Sequence, residues 1–222
     1  MKEKHGESCK FNKEHTMKFS ILIPTLESRK EMFSRLKISL DSQLVGNLLN
    51  EVEILYLLDN RQKTIGEKRN ILLNSAKGDF LTFIDDDDRV SDNYIKKIIE
   101  AITCSPDSDC IVFDCICTIT SVDKHIKSGR KQYCKYGIEF DYTKQDPWTE
   151  SNIAERTEME QWRGKPSHTM VWKSLLAKNV MFPNQNVGED FDWVKRMWPK
   201  IKKQIRINEV LYYYDAVLDK RY

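Results

Sequence analysis

The sequence lacks any run approaching the roughly 20 apolar residues of a membrane-spanning helix. Its first 16 residues are polar and charged, with no apolar segment of the secretory type. There is no CxxC pair among its six cysteines, Cys9, Cys104, Cys110, Cys115, Cys117 and Cys134. Its four histidines, His5, His15, His125 and His168, do not fall at zinc-finger spacing. There is little charge imbalance either: 36 Lys+Arg against 34 Asp+Glu leave +2. Internal repeats and low-complexity linkers are missing as well. These absences exclude a channel, a disulfide-dense secreted scaffold, a zinc finger and a collagen-like or disordered chain. They lead us to expect a soluble, cytoplasmic protein with reduced thiols. Cys115-Ile116-Cys117 lies in an apolar run, where both thiols would face one side of a strand. Core packing is the ordinary role of such thiols.

What is present is a chain of 222 residues, 40% hydrophobic, long enough to bury a sizeable core. Residues 1–16 read as a flexible arm, and 17–222 as a single domain. Short apolar runs predict strands at Phe19–Ile23 (ended by Pro24), Val52–Leu58, Phe80–Ile84 and Asp109–Cys117. Helical spacing predicts helices over Arg29–Leu44, Gly66–Ala76 (closed by Gly78) and Ser91–Ile102 (opened by a Ser/Asp cap). Further on, the pattern predicts a strand at His168–Val171, helices at Trp172–Asn179 and Phe191–Trp198, and a closing strand at Ile205–Tyr214. Alternating strands and helices in the first half imply a doubly wound, mostly parallel α/β sheet. Ligands of such sheets bind beyond the carboxyl ends of the strands. Three polar clusters fall there: Pro24-Thr25, Asp59-Asn60 and Asp85 to Asp88.

The four adjacent aspartates repel one another unless a cation relieves them. Hard divalent ions take oxygen ligands, and Mg²⁺ or Mn²⁺ bound through one or two carboxylates keeps positions open for phosphate oxygens. On an extended segment Asp85 and Asp87 would point to one side. Far along the chain, Gly188-Glu189-Asp190 opens a helix, and Asp190 is a candidate general base. His168, Glu189 and Trp162 are candidates for a substrate or metal contact. Between Arg163 and Ile207 stand ten Lys/Arg and three Asp/Glu, a local excess of seven positive charges. Lys200, Lys202, Lys203 and Arg206 crowd its end and are candidate contacts to acceptor phosphates.

FSILIPT, EILYLLDN, GEKRNILLNSAKGDFLTFIDDDD and GEDFDWVKR, in that order, resemble the family 2 glycosyltransferases of the GT-A fold. The resemblance runs from Phe19 to Arg196, densest up to Ile102. It implies a nucleotide-sugar-binding half over 17–117 and an acceptor-binding half over 118–222. It implies that Pro24, Thr25 and Glu27 border the nucleotide, with Glu27 standing where members often carry Asn. It assigns Asp59 to the uracil base, Arg69 to the base and phosphates, and Asp85 and Asp87 to the DxD signature. Asp86, between them, joins the nucleotide-sugar contacts. Asp87, with Asp85, holds Mn²⁺ or Mg²⁺. Asp190 becomes the base of an inverting transfer from a UDP-sugar, and Arg196 matches a basic residue of the same segment. The chain also resembles compact bacteriophage transferases, some of which glycosylate hydroxymethylated bases in DNA. That would place it in a host cytoplasm with a 5-hydroxymethyl pyrimidine as acceptor. Other readings are a transferase building a polysaccharide, glycolipid or glycoprotein, a nucleotidyltransferase, or a non-catalytic nucleotide-sugar-binding module. A nucleotidyltransferase would more often carry a Gly-rich loop where this chain has Pro24-Thr25-Leu26-Glu27.

Overall fold

In the computed structural model, residues 17–121, 130–140 and 160–218 are described. The expected arm, 1–16, and much of the irregular stretch between 118 and 164 lie outside them. The first strands are β1 (Phe19–Leu26), β2 (Val52–Asp59) and β3 (Phe80–Phe83). β1 lies between the other two and is parallel to both, with Phe19 level with Val52 and Phe80. β8 (Val171–Lys173) then joins β3 to β5 (Cys110–Ser121), antiparallel to each. β6 (Arg130–Tyr136) and β7 (Glu160–Gly164) extend the sheet, and the long β9 (Gln204–Leu218) runs parallel to β5. A two-residue strand, β4 (Arg89–Val90), pairs with β9. Most paired residues are in parallel registers, as expected, with antiparallel strands inserted beyond β3.

Pro24 does not end β1, contrary to expectation; the strand continues to Leu26, with Pro24 level with Leu57. The reason is directional. The Leu22 carbonyl accepts from the Ile84 amide, so residue 22, and by alternation residue 24, faces β3. β3 has ended there, so a residue without an N–H leaves no partner unpaired.

Helices cover the sheet. α1 (Lys30–Asp41) buries Phe33, Leu36 and Leu40. A short α2 (Leu48–Glu51), not expected from the pattern, leads into β2. α3 (Ile65–Ser75) starts one residue earlier than expected, on a capping box: the Thr64 hydroxyl accepts from the Glu67 amide and the Glu67 carboxylate accepts from the Thr64 amide. Gly78 is not the left-handed helix stop expected of it. It is a close-approach position, where a Cβ would lie 2.7 Å from the Ser20 amide nitrogen. α4 (Tyr94–Cys104) begins three residues after the expected Ser91. Its cap comes from afar, because the Gln43 side chain accepts from the Ile95 amide at 3.0 Å.

In the second half, the expected strand at His168–Val171 lies three residues later, as β8, and the following helix shrinks to α5 (Ser174–Ala177). α6 spans Glu189–Met197. It is anchored by an aromatic stack: Trp193 lies face to face with Phe182 at 4.7 Å and edge-on to Trp172 at 5.2 Å. Its indole donates to the Val180 carbonyl at 2.7 Å. Trp172 and Trp193 are fully buried. Burying about 200 Å² of such a side chain contributes about 5 kcal/mol at about 25 cal/mol per Å². Among the described residues no helix is long and apolar enough to cross a membrane.

Candidate active site

Register explains how distant residues meet. β3 and β8 are antiparallel with Leu81 opposite Trp172, and a turn just before β8, in which the Met170 amide donates to the Ser167 carbonyl, brings His168 to the end of β3. The contact follows: His168 Nε2 lies 3.4 Å from Asp85 Oδ2. On the other side of the ring, His168 Nδ1 lies 3.3 Å from Asp190 Oδ2. The imidazole thus bridges the candidate DxD acid and the candidate base. Gly188, at φ +76°, turns the chain into α6 in a conformation that favours glycine, so that Glu189 and Asp190 face the sheet end.

The four aspartates are not an extended segment. They form a turn, closed by the Asp88 amide donating to the Asp85 carbonyl at 3.1 Å, and they point in different directions. The expected pairing of Asp85 and Asp87 on one side is therefore corrected. Asp85 accepts from Arg69 Nη2 at 2.9 Å. Asp86, almost fully buried, accepts from the Thr25 hydroxyl at 2.6 Å and is ion-paired with Arg29 Nη1 at 3.0 Å. Asp87, partly exposed, accepts from Arg29 Nη2, and Arg35 donates to its carbonyl at 2.8 Å. Asp88, buried, accepts from the Tyr212 hydroxyl at 2.6 Å and the Asp215 amide at 3.1 Å. The repulsion that would call for a cation is thus relieved in large part by the protein's own arginines.

The electrostatics diverge accordingly. Burial alone would push the Asp85 carboxyl up, but the Arg69 guanidinium and the His168 hydrogen bond outweigh it and hold Asp85 well below the usual carboxylate range. At Asp88 burial, with the nearby Asp85 charge, pushes the carboxyl up to about 8. Burial likewise raises Asp86. Arg69 is clamped, with Nε on Glu189 at 3.2 Å and its guanidinium over the Phe83 and Phe182 rings. Burial opposes its charge, but Asp85, Glu189 and Asp190 raise its pKa overall.

Around the acids gather the residues expected on the nucleotide side, from the ends of β1 and β2. Thr25 and Pro24 are buried in β1, and Glu27 is exposed in the turn after it. Asp59 ends β2. Its carboxylate accepts from Lys68 Nζ at 2.8 Å and the Lys63 amide at 2.9 Å. Despite partial burial, these partners lower its pKa. Lys68 also donates to the Thr25 carbonyl at 2.9 Å. The sequence reading missed Lys68, Arg29 and Tyr212. The Thr64–Glu67 capping box was the one signal available, because it phases α3 so that both Lys68 and Arg69 turn inward.

Next to Asp85, His168 and Asp190 opens a cavity of about 310 Å³. Trp162 and Tyr136 (rings 5.5 Å apart), Tyr212, Tyr214 and the thiols of Cys115, Cys117 and Cys134 form much of its lining. Cys115 and Cys117 do face one side, as expected. Burial pushes the Cys117 thiol up to about 11 and the Cys134 thiol up to about 12, so both are protonated. Glu189 lies behind the cavity, buried against Arg69. Arg196 faces away, paired with Asp192 and the Met181 carbonyl.

The basic cluster is not brought to this site. The Lys202 and Lys203 amides donate to the Asp109 carboxylate, just before β5, and Lys203 Nζ is paired with Asp107. Through β8 and β5, Lys203 is level with Phe80 at the amino end of β3, about five residues or about 16 Å along the strand direction from Asp85, with β8 and β5 lying between. Lys200 precedes it in an exposed turn. Arg206 is half-buried and held by Asp114 and Glu139.

For a metal, Asp87 offers hard carboxylate oxygens at a partly exposed position. Among the described residues no group of three or more His, Cys, Asp or Glu side chains converges to hold an ion. A Mg²⁺- or Mn²⁺-type ion needs only one or two protein carboxylates, and Asp87, whose carboxylate is the more exposed, is the residue that would supply one here.

A mostly parallel α/β sheet that curls through β9, with acids and a buried arginine at its strand ends, has the architecture of the GT-A fold. The sequence model of Glycosyl transferase family 2 matches residues 44–173, more than half of the chain, and the chain belongs to that family. A search of curated protein sequences found no match. Among solved structures, the chain is similar to S. aureus TarS at 18% identity, with a TM-score of 0.57 over 90% of this chain and 37% of that one. It is also similar to TarS 1–349 in complex with UDP-GlcNAc (TM-score 0.57) and with UDP (0.56), at 18% identity and over 60% of those chains. The chain thus spans between about two fifths and three fifths of the length of the structures it matches, and the likeness shows a shared fold.

Proposed function

We propose that the protein transfers a glycosyl group from a UDP-sugar to an acceptor hydroxyl by single displacement with inversion. The observation that carries this reading is the His168 bridge between Asp85 and Asp190 beside a cavity of about 310 Å³, roomy enough for a sugar ring. The family membership and the UDP and UDP-GlcNAc complexes of TarS support the donor class. Asp59, oriented by Lys68 and the Lys63 amide, keeps lone pairs to accept from the N–H edge of a uracil. Thr25 and Pro24 wall the same side. Asp87 would hold Mn²⁺ or Mg²⁺, which supplies charge neutralisation for the departing diphosphate. Asp190 takes the proton of the acceptor hydroxyl as its oxygen bonds to the anomeric carbon and the bond to UDP breaks. His168 positions Asp190 for that step, and Arg69 keeps Asp85 ionised.

The acceptor ring, or the donor's own, meets walls of aromatic rings and neutral thiols. The acids at this recess are Asp85 and Asp190, an arrangement that favours a neutral ring over a uronate or phosphorylated one. A 5-hydroxymethyl pyrimidine flipped from DNA is one such ring. That acceptor would bind without help from Lys200, Lys202 and Lys203. The test is a thermal-shift screen of UDP-, GDP- and dTDP-sugars with Mn²⁺, followed by transfer of the labelled sugar to hydroxymethylcytosine DNA, a saccharide and a lipid acceptor. Stabilisation by a UDP-sugar above the others is expected. Stabilisation by none would sink the reading.

A further inference from the structure

We propose that Arg29 is a displaceable cation: one arm of its guanidinium holds the metal-site carboxylate of Asp87 until a divalent ion and the donor diphosphate arrive, then turns to a diphosphate oxygen. This rests on the reading that Asp87 takes a metal with a nucleotide diphosphate. Arg29 closes the turn that follows β1, and its side chain is about one third exposed. Its two arms do different things. Nη1 is ion-paired with Asp86 at 3.0 Å, a carboxylate only 1% exposed and fixed from behind by Thr25. Nη2 donates to Asp87, whose carboxylate is more than one third exposed.

A divalent ion at Asp87 would compete with Nη2 for this carboxylate, since two cations side by side on it repel each other. The planar guanidinium can keep Nη1 on Asp86 as a pivot, so no buried carboxylate is orphaned while Nη2 is released. The freed N–H groups then lie beside the ion, where the negatively charged leaving group must be, and arginine suits bidentate contact with phosphate. Arg35 is fixed to the Asp87 carbonyl and steadies the turn meanwhile. Arg69 provides the contrast. It is 2% exposed and locked between Asp85 and Glu189, so its charge is permanent and immobile.

The test compares the wild type with Arg29→Gln, which removes the charge, and with Arg29→Lys, which keeps it. Mn²⁺ binding without nucleotide is measured by electron paramagnetic resonance, and UDP binding in saturating Mn²⁺ by calorimetry. Loss of a partly exposed competing ion pair predicts Mn²⁺ binding about two- to five-fold tighter in Arg29→Gln. Loss of a charged hydrogen bond predicts UDP binding about ten-fold weaker. Arg29→Lys should stay close to wild type in Mn²⁺ binding. A merely structural role would weaken both ligands, and that result, or an unchanged UDP affinity, overturns the proposal while leaving the proposed function standing. If the wild type binds neither Mn²⁺ nor UDP, the proposed function itself fails and this inference with it.

Discussion

The two ends of the same sheet carry opposite charge and hold it differently. At the carboxyl end of β1 and β3, Asp85 to Asp88 are each tied to a specific partner: Arg69 and His168, Arg29 and Thr25, Tyr212. At the amino end of β3, Lys203 pairs with Asp107 on an exposed edge, with Lys200 and Lys202 exposed beside it. Both clusters stand out equally in the sequence as runs of one charge. What separates them is burial and the number of long-range partners, and only the first cluster has the geometry of a site.

The comparison can be broken most forcefully at the carboxyl end. Asp190→Asn keeps the shape beside His168 but cannot take a proton. Turnover should fall about 10²- to 10⁴-fold with donor affinity little changed, measured by steady-state kinetics on a UDP-sugar. Arg69→Leu should destabilise the fold by about 3–5 kcal/mol in denaturant unfolding, because it strands Asp85 and the buried Glu189 without their counter-ion.

A smaller effect comes from Asp88. Unfolded, it titrates near 3.8; in the fold burial and the Asp85 charge raise it to about 8. The native state therefore keeps a proton that the unfolded chain releases, and stability falls as pH rises between about 4 and 8. Asp88→Asn removes this liability. In the absence of divalent metal, its Tm should gain on the wild type progressively from pH 5 to pH 8; a gap that does not change with pH would contradict the assignment. The smallest effect is expected at the other end: Lys200, Lys202 and Lys203 replaced together by Ser should leave UDP-sugar turnover unchanged. Surface changes of this kind alter stability by about 0.5 kcal/mol or less each.

The carboxyl-end site was legible in the sequence as far as strands and local motifs reach. Apolar runs located β1, β2 and β3, and the polar residues after each run marked Thr25, Asp59 and Asp85. What could not be read depends on register between distant segments. His168 meets Asp85 because β8 inserts antiparallel between β3 and β5, and no local pattern announces that. Tyr212 reaches Asp88 through a long parallel pairing of β5 and β9 that includes an irregularity near Asp114. The turn at Asp85–Asp88 defeated the strand alternation expected of it, because each carboxylate found its own partner. The lysine cluster is near Asp190 in the chain but apart from it in the fold, because β9 starts from the far end of the sheet.

The central claim is that the acids at the carboxyl end form a metal-assisted nucleotide-sugar site. Calorimetric titration of UDP into the wild type and Asp87→Ala, each with Mn²⁺ and again with excess chelator, tests it most directly. The account predicts binding to the wild type with Mn²⁺ and loss of that binding both in chelator and in Asp87→Ala. UDP affinity that is the same in all four titrations would contradict it.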